Sequence, residues 1–117
     1  MQDLNDSKVF AIKSVDRQAI ETNADLNVKT MFDTECQIMG KFDHPNILKL
    51  YERLQTSNNY YLVMKYCNRG DLHYHVMKSQ GLAEQDAVYF LKQIMNGFKE
   101  LHKHKIMHRD VKLENIF

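Results

Sequence analysis

Several residue types and patterns are scarce in this 117-residue chain, and each scarcity removes a class of protein. There is one proline, and none of the four glycines precedes Gly40. No Pro/Gly linker, repeat or low-complexity tract divides the chain. Cys36 and Cys67 are the two cysteines. They share no short spacing, so a disulfide framework is not expected, and reduced thiols in a cytoplasmic protein are. No apolar run approaches the ~20 residues that span a bilayer, so no membrane insertion is expected. The start Met1-Gln2-Asp3-Leu4 is acidic and polar, unlike a secretory or transit sequence. Charge of one sign is missing as well. Sixteen basic residues face fifteen acidic ones, for a net charge of +1, which gives no electrostatic case for a nucleic-acid partner. His73, His75, His102, His104 and His108 have no Cys or carboxylate at zinc-ligand spacing, so they are not read as a metal centre.

What is present suits one ordinary globular domain: 44% apolar residues and 26% charged. Lys8–Val15 mixes β-branched and aromatic residues and reads as a strand. A polar stretch from Asp16 to Asn27 follows. Val28, Met31, Phe32, Glu35, Ile38 and Met39 then trace a helical stripe ending near Gly40. Glu35 falls on or beside its apolar face, where a carboxylate is costly unless paired. His44-Pro45-Asn46 breaks the helix. Ile47–Tyr51 and Tyr60–Met64 read as two strands joined by a hairpin turn over the polar Gln55–Asn59. Asp71 can cap a helix holding Leu72, Val76 and Met77. Ala87, Phe90, Leu91, Ile94, Met95, Phe98 and Leu101, at spacings of three and four, predict a long amphipathic helix whose Met and Phe residues are core. Its start at Leu82-Ala83-Glu84 lacks a capping hydroxyl; its end carries positive charge from His102 to Lys105. The order strand, helix, two strands, helices, loop is α+β, without a βαβ alternation.

The chemistry concentrates near residue 110. His108-Arg109-Asp110-Val111-Lys112-Leu113-Glu114-Asn115 places a carboxylate, an ammonium and a carboxamide on one short loop. Asp110 can accept or orient a hydroxyl proton, Lys112 can offset developing negative charge, and Asn115 offers a neutral oxygen of the kind Mg²⁺ takes. That grouping suits phosphoryl transfer.

This loop resembles the catalytic loop of eukaryotic protein kinases, and Val9-Phe10-Ala11-Ile12-Lys13 resembles their lysine strand. Glu35, 22 residues after Lys13 and shortly before His44-Pro45-Asn46, stands where that family has its helix glutamate. Tyr61–Tyr66 resembles the strand-to-hinge segment, and Gly70-Asp71-Leu72 the start of the next helix. The resemblance implies a partial two-lobe kinase fold: residues 1–64 from the N-lobe, 65–70 the hinge, and 71–117 the beginning of the C-lobe through the catalytic loop. It implies ATP and Mg²⁺ as cofactors and a protein with Ser or Thr as substrate. Lys13 would hold the α- and β-phosphates, oriented by an ion pair to Glu35. The hinge backbone of Lys65 and Cys67 would bind adenine, with Met64 behind it and Ala11 and Leu72 on its two faces. Asp71 would bond the ribose, and Glu114 falls in the same nucleotide-binding set. Asp110, Lys112 and Asn115 would be catalytic, with Asn115 also the metal ligand. Met39, Leu50 and His108 match three members of the family's regulatory spine, and His108 is given a packing role rather than a catalytic one.

Lys112 points to serine/threonine rather than tyrosine kinases. The wording around His44, His102 and Lys112 is similar to calcium/calmodulin-type and autophagy-initiating kinases. Leu113 replaces the usual loop proline, Arg69 a common glycine, and Lys65 a common glutamate. A glycine-rich loop would fall before Met1, and an Asp-Phe-Gly segment after Phe117. The isolated chain is therefore expected to be catalytically incomplete. The alternative reading is a truncated kinase or pseudokinase acting as a non-catalytic binding module.

Overall fold

The computed structural model describes residues 8–22 and 27–117. The N-terminal residues 1–7 and positions 23–26 of the polar stretch lie outside them. Among the described residues the order is β1 (Phe10–Asp16), α1 (Arg17–Glu21), α2 (Asn27–Lys41), β2 (Leu50–Gln55), β3 (Asn59–Lys65), α3 (Leu72–Ser79), α4 (Glu84–Lys103) and a short 3-10 turn, Leu113–Asn115. The chain divides into two compact units. The first takes the described residues up to Phe42 together with Lys49–Tyr66; the second takes Asp43–Leu48 and Cys67–Phe117. The α+β class holds, with a three-stranded antiparallel sheet and helices.

The first unit is an antiparallel sheet of order β1-β3-β2 with α2 against it. The hairpin β2–β3 is closed as the polar turn predicts. Thr56 N–H donates to the Asn59 carbonyl at 2.8 Å, and Thr56 Oγ1 accepts from Asn59 N–H at 3.1 Å. The first hairpin strand starts at Leu50 rather than Ile47, because Ile47 N–H is used in a turn to the His44 carbonyl, 3.2 Å away. Strand β3 pairs Leu62 with Lys13 on one side and Arg53 on the other, and Met64 with Ala11 and Leu50. Directly paired residues share a face, so Ala11, Lys13, Leu50, Arg53, Leu62 and Met64 all lie on one side of the sheet. That side carries the core: Cys36, Leu50 and Leu62, flanked by Phe32, Met39 and Met64. Burying a leucine there contributes about 1.5–3 kcal/mol.

Two local features differ from the sequence reading. The buried residue of α2 is Cys36, while Glu35 is exposed. The stripe is turned by about one residue, Phe32-Cys36-Met39, because an unpaired carboxylate loses hydration on the apolar line while a thiol packs there without that loss. The polar stretch also contains helix α1. Asp16 caps it by accepting from Gln18 N–H at 2.8 Å and Ala19 N–H at 3.4 Å. Glu21 at its end accepts from the hydroxyl of Tyr60 at 2.7 Å and from Arg17 Nε at 2.9 Å. Those two bonds, Tyr60 first, hold the Glu21 carboxyl below its ordinary pKa.

The second unit has much less interior. Asp71 caps α3 by accepting from Tyr74 N–H at 2.8 Å, and Leu72 is buried. Helix α4 starts at Ala83 with no side-chain cap, as its sequence predicts. The expectation that its Met and Phe stripe is core does not hold as stated. Phe90, Ile94, Phe98 and Leu101 are half-buried, whereas Ala87, Leu91 and Met95 are exposed. The buried residue of α4 is Gly97. A Cβ there would lie 2.7 Å from the carbonyl oxygen of Asn46, so the His44–Asn46 turn rests directly on the helix backbone. Asn46 Nδ2 also donates to Gln93 Oε1 at 3.3 Å. The stripe packs little because, among the described residues, this unit has no second layer to lie on its far half.

Helix α4 ends with Lys105 N–H donating to the His102 carbonyl at 2.9 Å and Ile106 N–H to the Leu101 carbonyl at 3.0 Å. This is a Schellman stop, and it forces Lys105 to φ 57°. For a side chain other than glycine that conformation costs roughly 1–2 kcal/mol.

Candidate functional site

The sequence-predicted residues fall on both units. In the first, Ala11 and Met64 face each other across β1 and β3, and both are half-buried. Lys13 sits two residues on, opposite Leu62, on the side of the sheet that α2 covers. Its ammonium is exposed, and so is Glu35 on α2. No ion pair joins them among the described residues. Water screens two exposed charges enough that holding both long side chains together gains little. Their common neighbour is Cys36. Burial pushes its thiol up; Arg53 and Lys13 act downward against it, while Glu35 and Asp33 act upward. Lys65 N–H donates to the Lys49 carbonyl at 2.9 Å.

In the second unit the loop Ile106–Asn115 is fixed at both ends. At its start the His108 ring meets Phe98 of α4 edge-on, with centroids 6.3 Å apart. His108 Nδ1 accepts from Asp110 N–H at 3.2 Å. The ring thus touches Phe98 and bonds to backbone, but His108 is exposed rather than packed in a core. At the loop's end the Ile116 carbonyl accepts from Leu72 N–H at 2.8 Å, tying the segment after Asn115 to the start of α3. Asp71 and Leu72 therefore neighbour the loop within this unit. One oxygen of Asp71 is taken by the α3 cap. The Cys67 carbonyl accepts from Gly70 N–H at 3.4 Å.

Between these anchors the three polar groups converge. Lys112 Nζ lies 3.3 Å from Asp110 Oδ2. Asn115 Nδ2 donates to that same oxygen and to the Asp110 backbone carbonyl, both at 2.9 Å. Lys112, then Asn115, hold the Asp110 carboxyl below its ordinary pKa. Asp110 thus stays an anion across the neutral range and can accept a proton or orient a hydroxyl. Its Oδ1 takes no part in these bonds. Asn115, having given its amide hydrogens to Asp110, presents its Oδ1 as an acceptor, the neutral oxygen a hard cation favours. Arg109 stands at φ 64° immediately before Asp110. Non-glycine residues in that region are uncommon and cluster at functional sites. Glu114 is exposed in the 3-10 turn.

Three features escaped the sequence reading. Gly97 had a signal, since a glycine inside an amphipathic helix marks a close approach. The left-handed Arg109 and the inward-facing Arg53 had none. Their conformations depend on tertiary neighbours rather than on residue type.

The model of the protein kinase domain matches residues 1–117. The chain is 35% identical over 109 residues to human "NUAK family SNF1-like kinase 2", covering 93% of this chain and 17% of that protein. It is 35% identical over 106 residues to human "Hormonally up-regulated neu tumor-associated kinase", covering 91% and 15%. It is 31% identical over 118 residues to mouse "Serine/threonine-protein kinase PLK2", covering 100% and 17%. The chain thus spans less than a fifth of the length of these relatives.

Proposed function

Since the chain belongs to the protein kinase family, as a segment of a serine/threonine kinase domain, we propose that it carries residues for γ-phosphoryl transfer from Mg-ATP to a protein serine or threonine. The observation that carries this reading is the Asp110–Lys112–Asn115 cluster, with one carboxylate oxygen held by both an ammonium and a carboxamide. Asp110 positions the substrate hydroxyl and takes its proton. Lys112, already beside it, supplies positive charge where the transferring phosphoryl group passes. Magnesium, held through Asn115 Oδ1, would neutralise phosphate charge. A single neutral oxygen donor suits an ion that keeps several waters and shares phosphate oxygens. Lys13 takes the α- and β-phosphates, with Glu35 as its partner. Ala11, Met64, the backbone of Lys65 and Cys67, Asp71, Leu72 and Glu114 form the nucleotide-binding set. Residues 1–64 then belong to the N-lobe, 65–70 to the hinge and 71–117 to the C-lobe. A cytoplasmic setting is part of the same reading, supported by Cys36 and Cys67 forming no disulfide.

The test is transfer of labelled phosphate to a Ser/Thr peptide pool, with Asp110→Ala as control. Losing a general base lowers the rate by roughly 10²–10⁴. Transfer that persists in Asp110→Ala contradicts the assignment.

One observation favours a second reading, a non-catalytic binding module. Leu91, Met95, Val88 and Tyr89 expose apolar surface along α4, as partner-binding faces do. Sedimentation of the purified chain separates the two. A monomer across concentrations, with no binding of a hydrophobic dye, removes the basis for this reading.

A further inference from the structure

Arg53 is a charged residue on the core side of the sheet. It reaches that side through an irregularity: pairing runs Leu50 with Met64, then Glu52 with Val63, so the register shifts at Tyr51. Strand side chains alternate, and without the extra residue Arg53 would face away from Leu50. With it, Arg53 pairs with Leu62 and turns toward α2. There its guanidinium lies 4.9 Å from the Phe32 ring centroid and 4.5 Å from that of Tyr60. Its Nη1 is 2.5 Å from Asp33 Oδ1. Tyr60 is only 2% exposed, so the guanidinium is backed by a fixed wall. Phe32 and Asp33 both belong to α2.

The clasp therefore joins α2 to the sheet at the turn that also carries Glu35 and the buried Cys36. Lys13 stands opposite Leu62 on the far strand, and Arg53 opposite the same Leu62 on the near one. The sheet fixes Lys13, and what remains to be set is the seating of α2. We infer that Arg53 is a positioning residue: through Asp33, Phe32 and Tyr60 it seats α2 so that Glu35 stays within reach of Lys13. This rests on the reading of Lys13 and Glu35 given above. Arg53 touches neither of them; it acts through the helix.

Carbodiimide cross-linking reads the approach directly, because it joins a carboxylate to an amine on contact and needs no nucleotide. Lys103 and Glu100, paired at 3.0 Å in the second unit, provide an internal reference. In Arg53→Met and in Asp33→Asn the Lys13–Glu35 product falls about threefold against that reference, the shift expected when a pair worth some tenths to one kcal/mol is lost. Alkylation of Cys36 accelerates in both variants. The exchange Asp33→Arg with Arg53→Asp restores both readouts toward wild type. Far-UV circular dichroism checks folding, and Asp33→Asn serves if Arg53→Met fails to fold. No Lys13–Glu35 product in the wild type, or a yield and Cys36 rate unchanged in folded Asp33→Asn, overturns the inference. A cross-link that responds to the clasp while Mg-ATP binding ignores Lys13 overturns the phosphate-binding role and leaves the positioning role standing.

Discussion

The two units differ in what holds them. Among described residues the first buries Cys36, Leu50 and Leu62 in one core, and Phe42 and Tyr60 besides, whereas the second buries Leu72 and the backbone at Gly97. The Asp110–Lys112–Asn115 cluster lies on the second, the unit with the thinner interior. Its geometry is set by hydrogen bonds and a few pinned ends rather than by a core. Side-chain placement in the first unit should therefore respond to lost volume. In the second it should respond to lost bonds and to backbone strain.

The largest effect should come from the core. Leu62→Ala is expected to cost ~2–5 kcal/mol, while Leu91→Ala on the exposed face of α4 costs at most about 0.5 kcal/mol. Urea unfolding followed by circular dichroism compares them, and similar losses would break the contrast. Next, Gly97→Ala drives a methyl group against the Asn46 carbonyl and is expected to lose about 1–3 kcal/mol. Gly40→Ala, in α2 with nothing within 4 Å of its Cβ, gains roughly 0.5–1 kcal/mol. Opposite signs at two helical glycines would show that contact, not propensity, decides. Lys105→Gly relieves the left-handed strain at the end of α4 and raises stability by about 1 kcal/mol, read as a higher melting temperature.

Much of the first unit was legible from its sequence. The β-branched run at Lys8–Val15 and the polar turn at Gln55–Asn59 gave the strands and the hairpin. Position within α2 was not legible, because Phe32, Glu35, Cys36 and Met39 fit a stripe almost equally well until the cost of burying Glu35 selects Cys36. In the second unit the periodicity of α4 predicted a helix correctly but overstated its burial. Periodicity reports which face a helix would bury, not whether a partner lies there. The polar set of Asp110, Lys112 and Asn115 was readable because all three stand within six residues. The Asp33–Arg53 clasp was not, being 20 residues apart and dependent on one irregular pairing.

The smallest effect concerns pH. Lys112 and Asn115 lower the Asp110 pKa. Stability from this anion is present above the ordinary carboxylate pKa and is lost as pH falls through the lower folded value. In Lys112→Met the Asp110 titration, followed by carboxyl-carbon NMR, moves up toward the ordinary value. A titration that does not move would show that the 3.3 Å approach of Lys112 has no electrostatic weight in solution.

Calorimetric titration of Mg-ATP into the wild-type chain, Lys13→Met and Asn115→Ala is the most direct test, because it asks of each unit by itself whether its polar residues contact the nucleotide. The account predicts saturable binding to the wild type. Each variant, having lost a contact to a charged group worth ~1.5–3 kcal/mol, should bind roughly 10- to 100-fold more weakly. Absence of saturable binding, or an affinity unchanged in both variants, would contradict it.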